Sequence, residues 1–395
     1  MSAHVPWEDA AGGAAAAGPA RADARLGVRA HRSPPAAPYE RGRALGRAHP
    51  DAVAATVAFY RRILAHDFDL GDADLARAGA ALRDRLGALD RAAMAEEIEG
   101  IADGAGIERE LLLAVNARTE LIAGGRYACA PGGRGAYRGP LAECSTIGAE
   151  AARGADGHVL LAQNWDFHPD LLDARLLWRI DLPGGRWLCT FTEAGILAKL
   201  GLNDAGVGIA LNFLATADDG GLGGLPIHLL GRALLEHARD LDGALALARK
   251  TPVTASSSYT VATPAGVAAA EITPRGTRVV AADGGLLVHT NHFLDATGVE
   301  DLATGPDGIA DSPVRRGELL RLLADGAVAP ADAMAALASH AHAPGSVCTH
   351  REGDEHAWID RVQTLASVVM DVTARRMWVA GGQPCTAPFA EVDLS

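Results

Sequence analysis

The chain has 395 residues and 49% of them are hydrophobic, which is enough to fill one large core or two ordinary ones. Its formal net charge is -13 and it has no dense run of lysine and arginine, which argues against nucleic acid or an anionic membrane as a partner. No stretch approaches the roughly 18 uninterrupted apolar residues of a membrane span, and the N-terminus lacks the apolar block of a secretory signal. We therefore expect a cytoplasmic protein that acts on small molecules.

The first 37 residues consist mainly of alanine, glycine, proline and arginine, with almost no large apolar side chain. Such a segment buries too little surface to offset the entropy cost of ordering it. We predict a disordered N-terminal tail over residues 1–37.

From residue 38 to about residue 122, apolar side chains recur every three or four positions, which predicts helices. The glycine-rich run "APGGRGAYRGPLAE" then ends this pattern immediately before Cys144.

After Cys144 the sequence consists of short apolar runs bounded by glycine, proline, aspartate or asparagine, which predict strands. Helical patterns interrupt them at residues 225–250 and 313–326, and residues 364–382 are typical of a hairpin. This order favours sheets covered by helices on their outer faces, in one large domain.

Five widely spaced cysteines form no C-x-x-C pair, so the sequence predicts neither a disulfide framework nor a cysteine zinc site. Cys144 starts a predicted strand and is followed by Ser145 and Thr146. On composition alone it is either a buried structural cysteine or a displayed nucleophile. A nucleophile needs a base, and cleavage of the Glu143–Cys144 bond would supply one as the new α-amine, with a pKa of about 7.7 to 8.

The run "CSTIGA", followed by "DGHVLLAQNWDF", resembles the start of the mature β-chain in the acyl-coenzyme A:6-aminopenicillanate acyltransferase family of autoproteolytic N-terminal nucleophile hydrolases. The blocks "PYERGRALG", "EEIEGIADGAGIERELLLAVNARTEL", "AGILAKLGLNDAGVGIALN", "LLVHTNHFL" and "TLASVVMDVTARRMWVAGGQPC" extend the resemblance over roughly residues 38 to 388.

The resemblance implies an α+β fold, the four-layer αββα sandwich of N-terminal nucleophile hydrolases. It also implies that residues 38–143 are a mainly helical pro-segment that becomes the α-chain. Residues 144–395 would be the catalytic β-chain, and the two chains would remain one domain as an α/β heterodimer. No cofactor and no metal is required.

The resemblance assigns catalytic roles beside Cys144. Asp166, in "QNWDF", would orient the nucleophile and the free amine, although a turn-forming aspartate is the alternative. Asn291, in "HTNHF", would donate its amide to the oxyanion, with an asparagine in a turn at a strand end as its alternative. Arg361 would support the thiolate or a substrate carboxylate, with a surface ion pair as its alternative. Arg315 could take that role in related choloylglycine-type hydrolases, but the helix surface is the favoured interpretation.

Trp165 and Phe167 are candidates for lining an acyl pocket, and ordinary core packing is the alternative. Six residues could instead be assembled into a metal-ligand set: His289, His292, His340, His342, Cys348 and His350. They lack the helical i, i+4 ligand spacing, so the sequence disfavours a metal.

These observations predict an acyltransferase or amidohydrolase with an N-terminal cysteine nucleophile. It would take a small-molecule acyl donor, an amide or a thioester, and an amine or water as acceptor. The alanine- and arginine-rich composition is typical of bacterial genomes rich in G and C, and a role in secondary metabolism is a hypothesis. Glu143 stands where glycine precedes the cysteine in the penicillin enzyme, which favours an alternative: an uncleaved, non-catalytic binding relative. A metal-dependent hydrolase using the histidines is the second alternative.

Overall fold

Two β-sheets lie face to face at the centre of the protein. The structure, a computed structural model, describes residues 26–128, 143–302 and 311–394. In these ranges the larger sheet has eight strands and the smaller has seven.

The eight-stranded sheet contains, in spatial order, β1 (Arg29–Ser33), β4 (Arg175–Leu182), β5 (Arg186–Glu193), β6 (Leu200–Asn203), β7 (Gly208–Phe213), β8 (Ser257–Thr263), β9 (Gly266–Thr273) and β10 (Gly276–Ala281). The seven-stranded sheet contains β11 (Leu286–His289), β2 (Glu143–Ala149), β3 (Leu160–Phe167), β13 (Val362–Asp371), β14 (Arg376–Ala380) and β15 (Ala390–Val392), with β12 (His350–Arg351) paired to β13. Six of these strands, β3, β6, β8, β9, β11 and β13, are buried along their whole length, which agrees with continuous apolar runs between turn residues.

Helices cover the outer face of each sheet. The N-terminal helices are α1 (Pro38–Ala48), α2 (Pro50–Phe68), α3 (Asp72–Ala88), α4 (Ala92–Ala105), α5 (Arg109–Asn116) and α6 (Arg118–Ala128). The later helices are α7 (Ile227–His237), α8 (Leu241–Lys250), α9 (Ser312–Leu322) and α10 (Pro330–Leu337).

Hydrogen bonds between layers show how they stack. Tyr259 of the larger sheet donates its hydroxyl to the carbonyl of Ile227 in α7 at 2.8 Å. Between the sheets, Gln163 of β3 donates to the carbonyl of Leu211 in β7 at 2.7 Å. On the other side, Asn164 of β3 donates to the carbonyl of Leu337 in α10 at 2.8 Å. The four-layer αββα order is therefore confirmed.

The strands and helices predicted after Cys144 are also confirmed, including the antiparallel β13–β14 hairpin. The sequence pattern missed β1, β6, β10, β12, β15 and α10, which are short or only half-buried.

The tail predicted for residues 1–37 is wrong for its last third. Residues 29–33 pair in parallel with β4, and Leu26, Val28 and Ala30 are buried in the core. Three apolar side chains of modest size are enough to order this segment, because β4 supplies hydrogen-bond partners for its backbone. Amino-acid composition does not reveal such partners. Residues 1–25 lie outside the described part of the chain.

Close backbone contact and buried charges attach the N-terminal helices to the sandwich. A side-chain carbon at Gly42 of α1 would lie 2.0 Å from the carbonyl oxygen of Glu97 in α4, so only glycine fits. The Glu97 carboxylate accepts from Arg41 at 2.7 Å and from Arg232 of α7 at 2.9 Å. These residues join α1, α4 and α7 in one buried ion network.

Among the described residues, no helix combines the length and the apolar character that crossing a membrane requires.

Candidate active site

Cys144 is the second residue of β2, and its side chain faces the space between the two sheets. Its register partner on β3 is Trp165, and directly opposed residues in antiparallel strands place their side chains on the same face. Trp165 packs edge-on against Phe191 of the larger sheet, with ring centres 6.0 Å apart. The thiol therefore lies on the inner face of the seven-stranded sheet, and Cys144 is only 5% exposed.

The environment keeps this thiol protonated at neutral pH. Burial, and then the negative charge of Asp166, raise the pKa of Cys144 to about 12, while Lys199 and Arg315 pull it downward. Burial raises the pKa of Cys189 to about 12 as well, so a raised pKa does not distinguish a nucleophile from a core cysteine. Any reaction through the Cys144 sulfur needs a base that takes its proton.

Both sides of the Cys144 main chain are held by polar side chains. Its N–H donates to Oδ1 of Asn291 at 2.8 Å. Its carbonyl oxygen accepts from the guanidinium of Arg315 at 2.9 Å and from the amide of Asn212 at 3.2 Å. The position of the residue is thus defined by contacts from three different elements.

Asn291 follows β11, which pairs with β2, and hydrogen bonds hold both its main chain and its side-chain amide. Its N–H donates to Oγ of Ser312 at 2.7 Å, and its Nδ2 donates to the carbonyl of Phe213 at 3.1 Å. Its Oδ1 accepts from Cys144 and also from Arg315 at 3.1 Å. Because these partners differ in type, they fix the amide orientation. Asn291 meets the nucleophile's main chain with its oxygen, whereas the sequence predicted an amide donor to an oxyanion.

Asp166 lies beside the bond that the sequence predicts to be cleaved. It is fully buried and pairs in register with Glu143, the residue before Cys144. Thr364, its register partner on β13, donates its hydroxyl to the carboxylate at 2.5 Å. The structure therefore places Asn291 against the Cys144 main chain and Asp166 opposite the residue before it.

Arg315 is buried beside Cys144, and the interpretation that it lies on a helix surface is wrong. It is 1% exposed, because α9 packs against the outer face of the smaller sheet with this residue facing inward. Besides contacting Cys144 and Asn291, it donates to Oγ of Ser145 at 2.9 Å.

Arg361 forms a surface ion pair, which was the alternative interpretation of this residue in the sequence. Its guanidinium donates to Asp354 at 2.6 Å, and that carboxylate is 96% exposed. Within residues 143–302 and 311–394, its hydrogen bonds do not extend to Cys144, Asp166 or Asn291. The expected role of Arg361 at the nucleophile therefore has no support from its contacts, and Arg315 supplies the cation there.

Trp165 and Phe167 form an apolar wall beside the nucleophile. Their rings stack at a centroid separation of 6.2 Å, and both residues are buried. Phe59 of α2 packs against Phe167 at 5.8 Å, so the helical segment contributes to this wall.

A buried cation lies against the same wall. Nζ of Lys199 is 3.5 Å from the centre of the Trp165 ring and 3.0 Å from the carboxylate of Glu193. Burial lowers the pKa of Lys199 to about 8. Glu193 also accepts from Tyr60 at 2.7 Å and from Arg118 at 3.1 Å, both in the N-terminal helices. The helical segment thus supplies part of the electrostatic environment of Cys144.

Asn212 and Lys199 were missed in the sequence. The sequence does contain a feature that could have identified each of them: Asn212 is a polar residue within the apolar strand "GIALNF", and Lys199 is a charged residue within the apolar run "GILAKLGLN". A buried polar side chain between apolar neighbours requires a partner, and both side chains find theirs at or near Cys144.

The histidines that the sequence offered as metal ligands do not all lie in one cluster. His289 pairs with the buried carboxylate of Glu271 at 3.0 Å, and His292 contacts Oγ of Ser312 at 2.8 Å. The side chains of His340, Cys348 and His350 lie near one another, together with Cys385.

Comparisons with known proteins find similarities of sequence and of structure. Residues 152–386 match the acyl-coenzyme A:6-aminopenicillanic acid acyl-transferase family. The chain is 31% identical over 294 residues to the 40 kDa form of acyl-coenzyme A:6-aminopenicillanic-acid-acyltransferase from Emericella nidulans, covering 73% of this chain and 75% of that protein. Penicillin V acylase from Agrobacterium tumefaciens is 14% identical with a TM-score of 0.41, over 64% of this chain and 86% of that one. A variant of conjugated bile acid hydrolase from Clostridium perfringens is 11% identical with a TM-score of 0.41, over 64% and 97%.

The sequence match covers the strands that carry Asp166 and Asn212, the segment after β11 that carries Asn291, and the helix that carries Arg315. The chain belongs to the acyl-coenzyme A:6-aminopenicillanic acid acyl-transferase family.

Proposed function

We propose that the protein is an acyl-transferring enzyme whose nucleophile is the thiol of Cys144, released as an N-terminal residue when the chain cleaves its own Glu143–Cys144 bond. The observation that carries the proposal is the arrangement around this bond. Asn291 holds the Cys144 N–H, Arg315 and Asn212 hold its carbonyl, and Asp166 lies opposite Glu143.

Maturation begins at the thiol. The Cys144 sulfur attacks the carbonyl carbon of Glu143, the C–N bond breaks, and the nitrogen takes up the proton to become an amine. Water then hydrolyses the thioester, which leaves a carboxyl group on Glu143 and returns the thiol. We assign Asp166 the role of accepting and returning protons at this bond, because its carboxylate is buried and its strand position is opposite Glu143.

The same cleavage creates the base that the buried thiol lacks. An α-amine has a pKa of about 7.7 to 8, close to neutral pH, whereas an amide nitrogen does not accept a proton. In each turnover the amine takes the thiol proton, and the sulfur forms a bond to the acyl carbon. The amine then protonates the departing group. Water or an acceptor amine next attacks the thioester and releases the acyl product.

Asn291 would hold this amine and the negative charge that develops on the substrate oxygen, and Arg315 would position Asn291. The Oδ1 of Asn291 accepts the Cys144 N–H in the intact chain and would accept the amine after cleavage. Its Nδ2 lies on the same rigid side chain and is the proposed oxyanion donor, together with a backbone N–H. Arg315 keeps Cys144 and Asn291 in register with each other.

The apolar wall of Trp165 and Phe167 suits the acyl part of a substrate. The name of the Emericella relative supports a thioester of coenzyme A as donor and an amine as acceptor. A small-molecule amide as donor, with water as acceptor, uses the same steps.

Intact-mass analysis and a denaturing gel test the proposal. Wild-type protein should separate into a piece that ends at Glu143 and one that begins Cys-Ser-Thr-Ile, and the two should remain together in native buffer. Cys144→Ala should stay one inactive chain, and Cys144→Ser should cleave more slowly, because a hydroxyl is the poorer nucleophile near neutral pH.

Cys189→Ala is the matched control, since Cys189 is equally buried and has a similarly raised pKa but lies in the larger sheet. This variant should cleave and turn over like the wild type. If active wild-type enzyme is found only as an uncut chain, the amine remains an amide and the mechanism is wrong. An inactive, uncut wild type would instead favour the non-catalytic binding relative.

A further inference from the structure

Four potential metal-binding side chains meet at one edge of the smaller sheet. His340 lies in the segment after α10, Cys348 lies two residues before β12, His350 is the first residue of β12, and Cys385 lies in the loop after β14. Their ligand atoms all lie within 4.8 Å of one another. The two cysteines are thiols, with sulfur atoms 3.7 Å apart.

Three of the six distances between the ligand atoms match the edges of a tetrahedron around zinc. With Zn–S bonds of about 2.3 Å and Zn–N bonds of about 2.0 to 2.1 Å, tetrahedral geometry requires S···S near about 3.8 Å and S···N near about 3.5 Å. The sulfur atoms are separated by 3.7 Å, and Nε2 of His350 is 3.4 Å from Cys348 and 3.3 Å from Cys385. The ring of His340 lies edge-on to that of His350, with centroids 5.0 Å apart.

Neighbouring groups suit this role. Oε1 of Glu352 lies 3.8 Å from Nδ1 of His350, on the side of the ring away from the two sulfurs. A carboxylate facing the second nitrogen of a ligating histidine is the usual outer partner in zinc sites. Cys348 is buried while His340 and His350 are exposed, so the site has a protein-lined floor and an open path from solvent.

We propose that His340, Cys348, His350 and Cys385 bind one Zn²⁺ ion in a tetrahedral structural site. Two thiolates and two imidazoles form the closed donor set typical of structural zinc, which leaves no position for substrate. The proposal is therefore distinct from a metal-dependent hydrolase, and it does not rest on the proposed function. It departs from the sequence prediction that the chain holds no metal.

The location suggests what such an ion stabilises. Thr349 lies between two of the ligands, and its N–H donates to Oγ1 of Thr364 at 3.0 Å. That same hydroxyl donates to Asp166. An ion at this site would join three loops at the sheet edge and hold the segment that supports Asp166.

Metal content measured on protein without an affinity tag tests the proposal. Wild-type protein should be prepared with a reductant and Zn²⁺, dialysed against metal-free buffer and analysed by plasma mass spectrometry. We expect about one equivalent of zinc, and a spectrum of tetrahedral thiolate-bound Co²⁺ when cobalt is the probe. Cys385→Ala and His340→Asn should bind at least tenfold more weakly.

Two controls separate loss of a ligand from a general disturbance. His342→Asn changes an exposed histidine of the same segment, whose φ of 68° asparagine tolerates, and it should keep the zinc. Cys189→Ala removes a thiol elsewhere and should also keep it. Circular dichroism checks that each variant folds. A reduced, folded wild type with less than about 0.1 equivalent of zinc overturns the proposal. Equal zinc affinity in Cys385→Ala, or a Cys348–Cys385 disulfide in metal-free active protein, also overturns it.

Discussion

Replacing Arg315 is the most direct test of how the site is held together. Its guanidinium donates to the Cys144 carbonyl at 2.9 Å, to Oγ of Ser145 at 2.9 Å and to Oδ1 of Asn291 at 3.1 Å, all in the buried interior. We predict that Arg315→Met slows self-cleavage and lowers turnover, and that Arg315→Lys has an intermediate effect. Lysine keeps the charge but lacks the planar fork that reaches three acceptors at once.

The structure sets the magnitude of the stability effect. A hydrogen bond to a charged group contributes about 1.5 to 3 kcal/mol to the free energy of unfolding. The Cys144 carbonyl keeps its bond from Asn212, and Oδ1 of Asn291 keeps the bond from the Cys144 N–H. The cost is therefore below the sum of three bonds, and we expect about 3 to 5 kcal/mol for Arg315→Met and about half of that for Arg315→Lys.

The effect on catalysis follows from Asn291. If its amide is no longer oriented, turnover should fall toward the loss seen when one oxyanion donor is removed, about 10² to 10³. The assay measures the fraction of cleaved chain against time on a denaturing gel, and then kcat of the fully cleaved fraction. Arg316→Met is the matched control, because Arg316 is the next residue of the same helix and donates to the backbone carbonyl of Val288 at 3.0 Å, outside the site.

Wild-type cleavage and turnover in a folded Arg315→Met variant would refute this reasoning. Equal loss in Arg315→Met and Arg316→Met would also refute it, because the cause would then be damage to α9 and not the loss of contacts to Cys144.

Three further predictions concern separate residues. Asn291→Ala should lower kcat by about 10² to 10³ in fully cleaved protein, and an effect below threefold would contradict the oxyanion role. Arg361→Met should change kcat less than threefold, because its partner Asp354 is solvent-exposed. A tenfold loss of kcat would contradict this prediction and would indicate that Arg361 acts at the site. Burial lowers the pKa of His31 to about 3 and of His49 to about 4, below the usual 6.5. As pH falls below 6.5 the unfolded chain therefore binds protons first, and the free energy of unfolding should decrease toward pH 4 by up to about 1.4 kcal/mol per pH unit per histidine. In guanidinium unfolding, His49→Leu should make the free energy of unfolding depend less steeply on pH. An unchanged pH dependence would contradict the conclusion that buried, neutral His49 causes it.

The sequence by itself determined the local elements and the centre of the site. Apolar spacing separates the helical first part from the strands after Cys144, because helices and strands bury side chains with different periods. The resemblance carried by the motifs around Cys144, Asp166 and Asn291 pointed to three residues that the structure places near one another: Asn291 accepts from the Cys144 N–H, and Asp166 pairs in register with Glu143.

Contacts between segments that are distant in sequence were decided only by the tertiary structure. Residues 29–33 form a strand because β4 offers a free edge, and their own composition predicts no order. The sequence does not show which of Arg315 and Arg361 is buried. The packing of α9 buries Arg315, whereas Arg361 pairs with a surface carboxylate. The proposed zinc ligands come from three loops without metal-binding spacing. Their donor atoms meet because β13 brings β12 and β14 to one sheet edge, and pairing of that kind leaves no trace in local sequence periodicity.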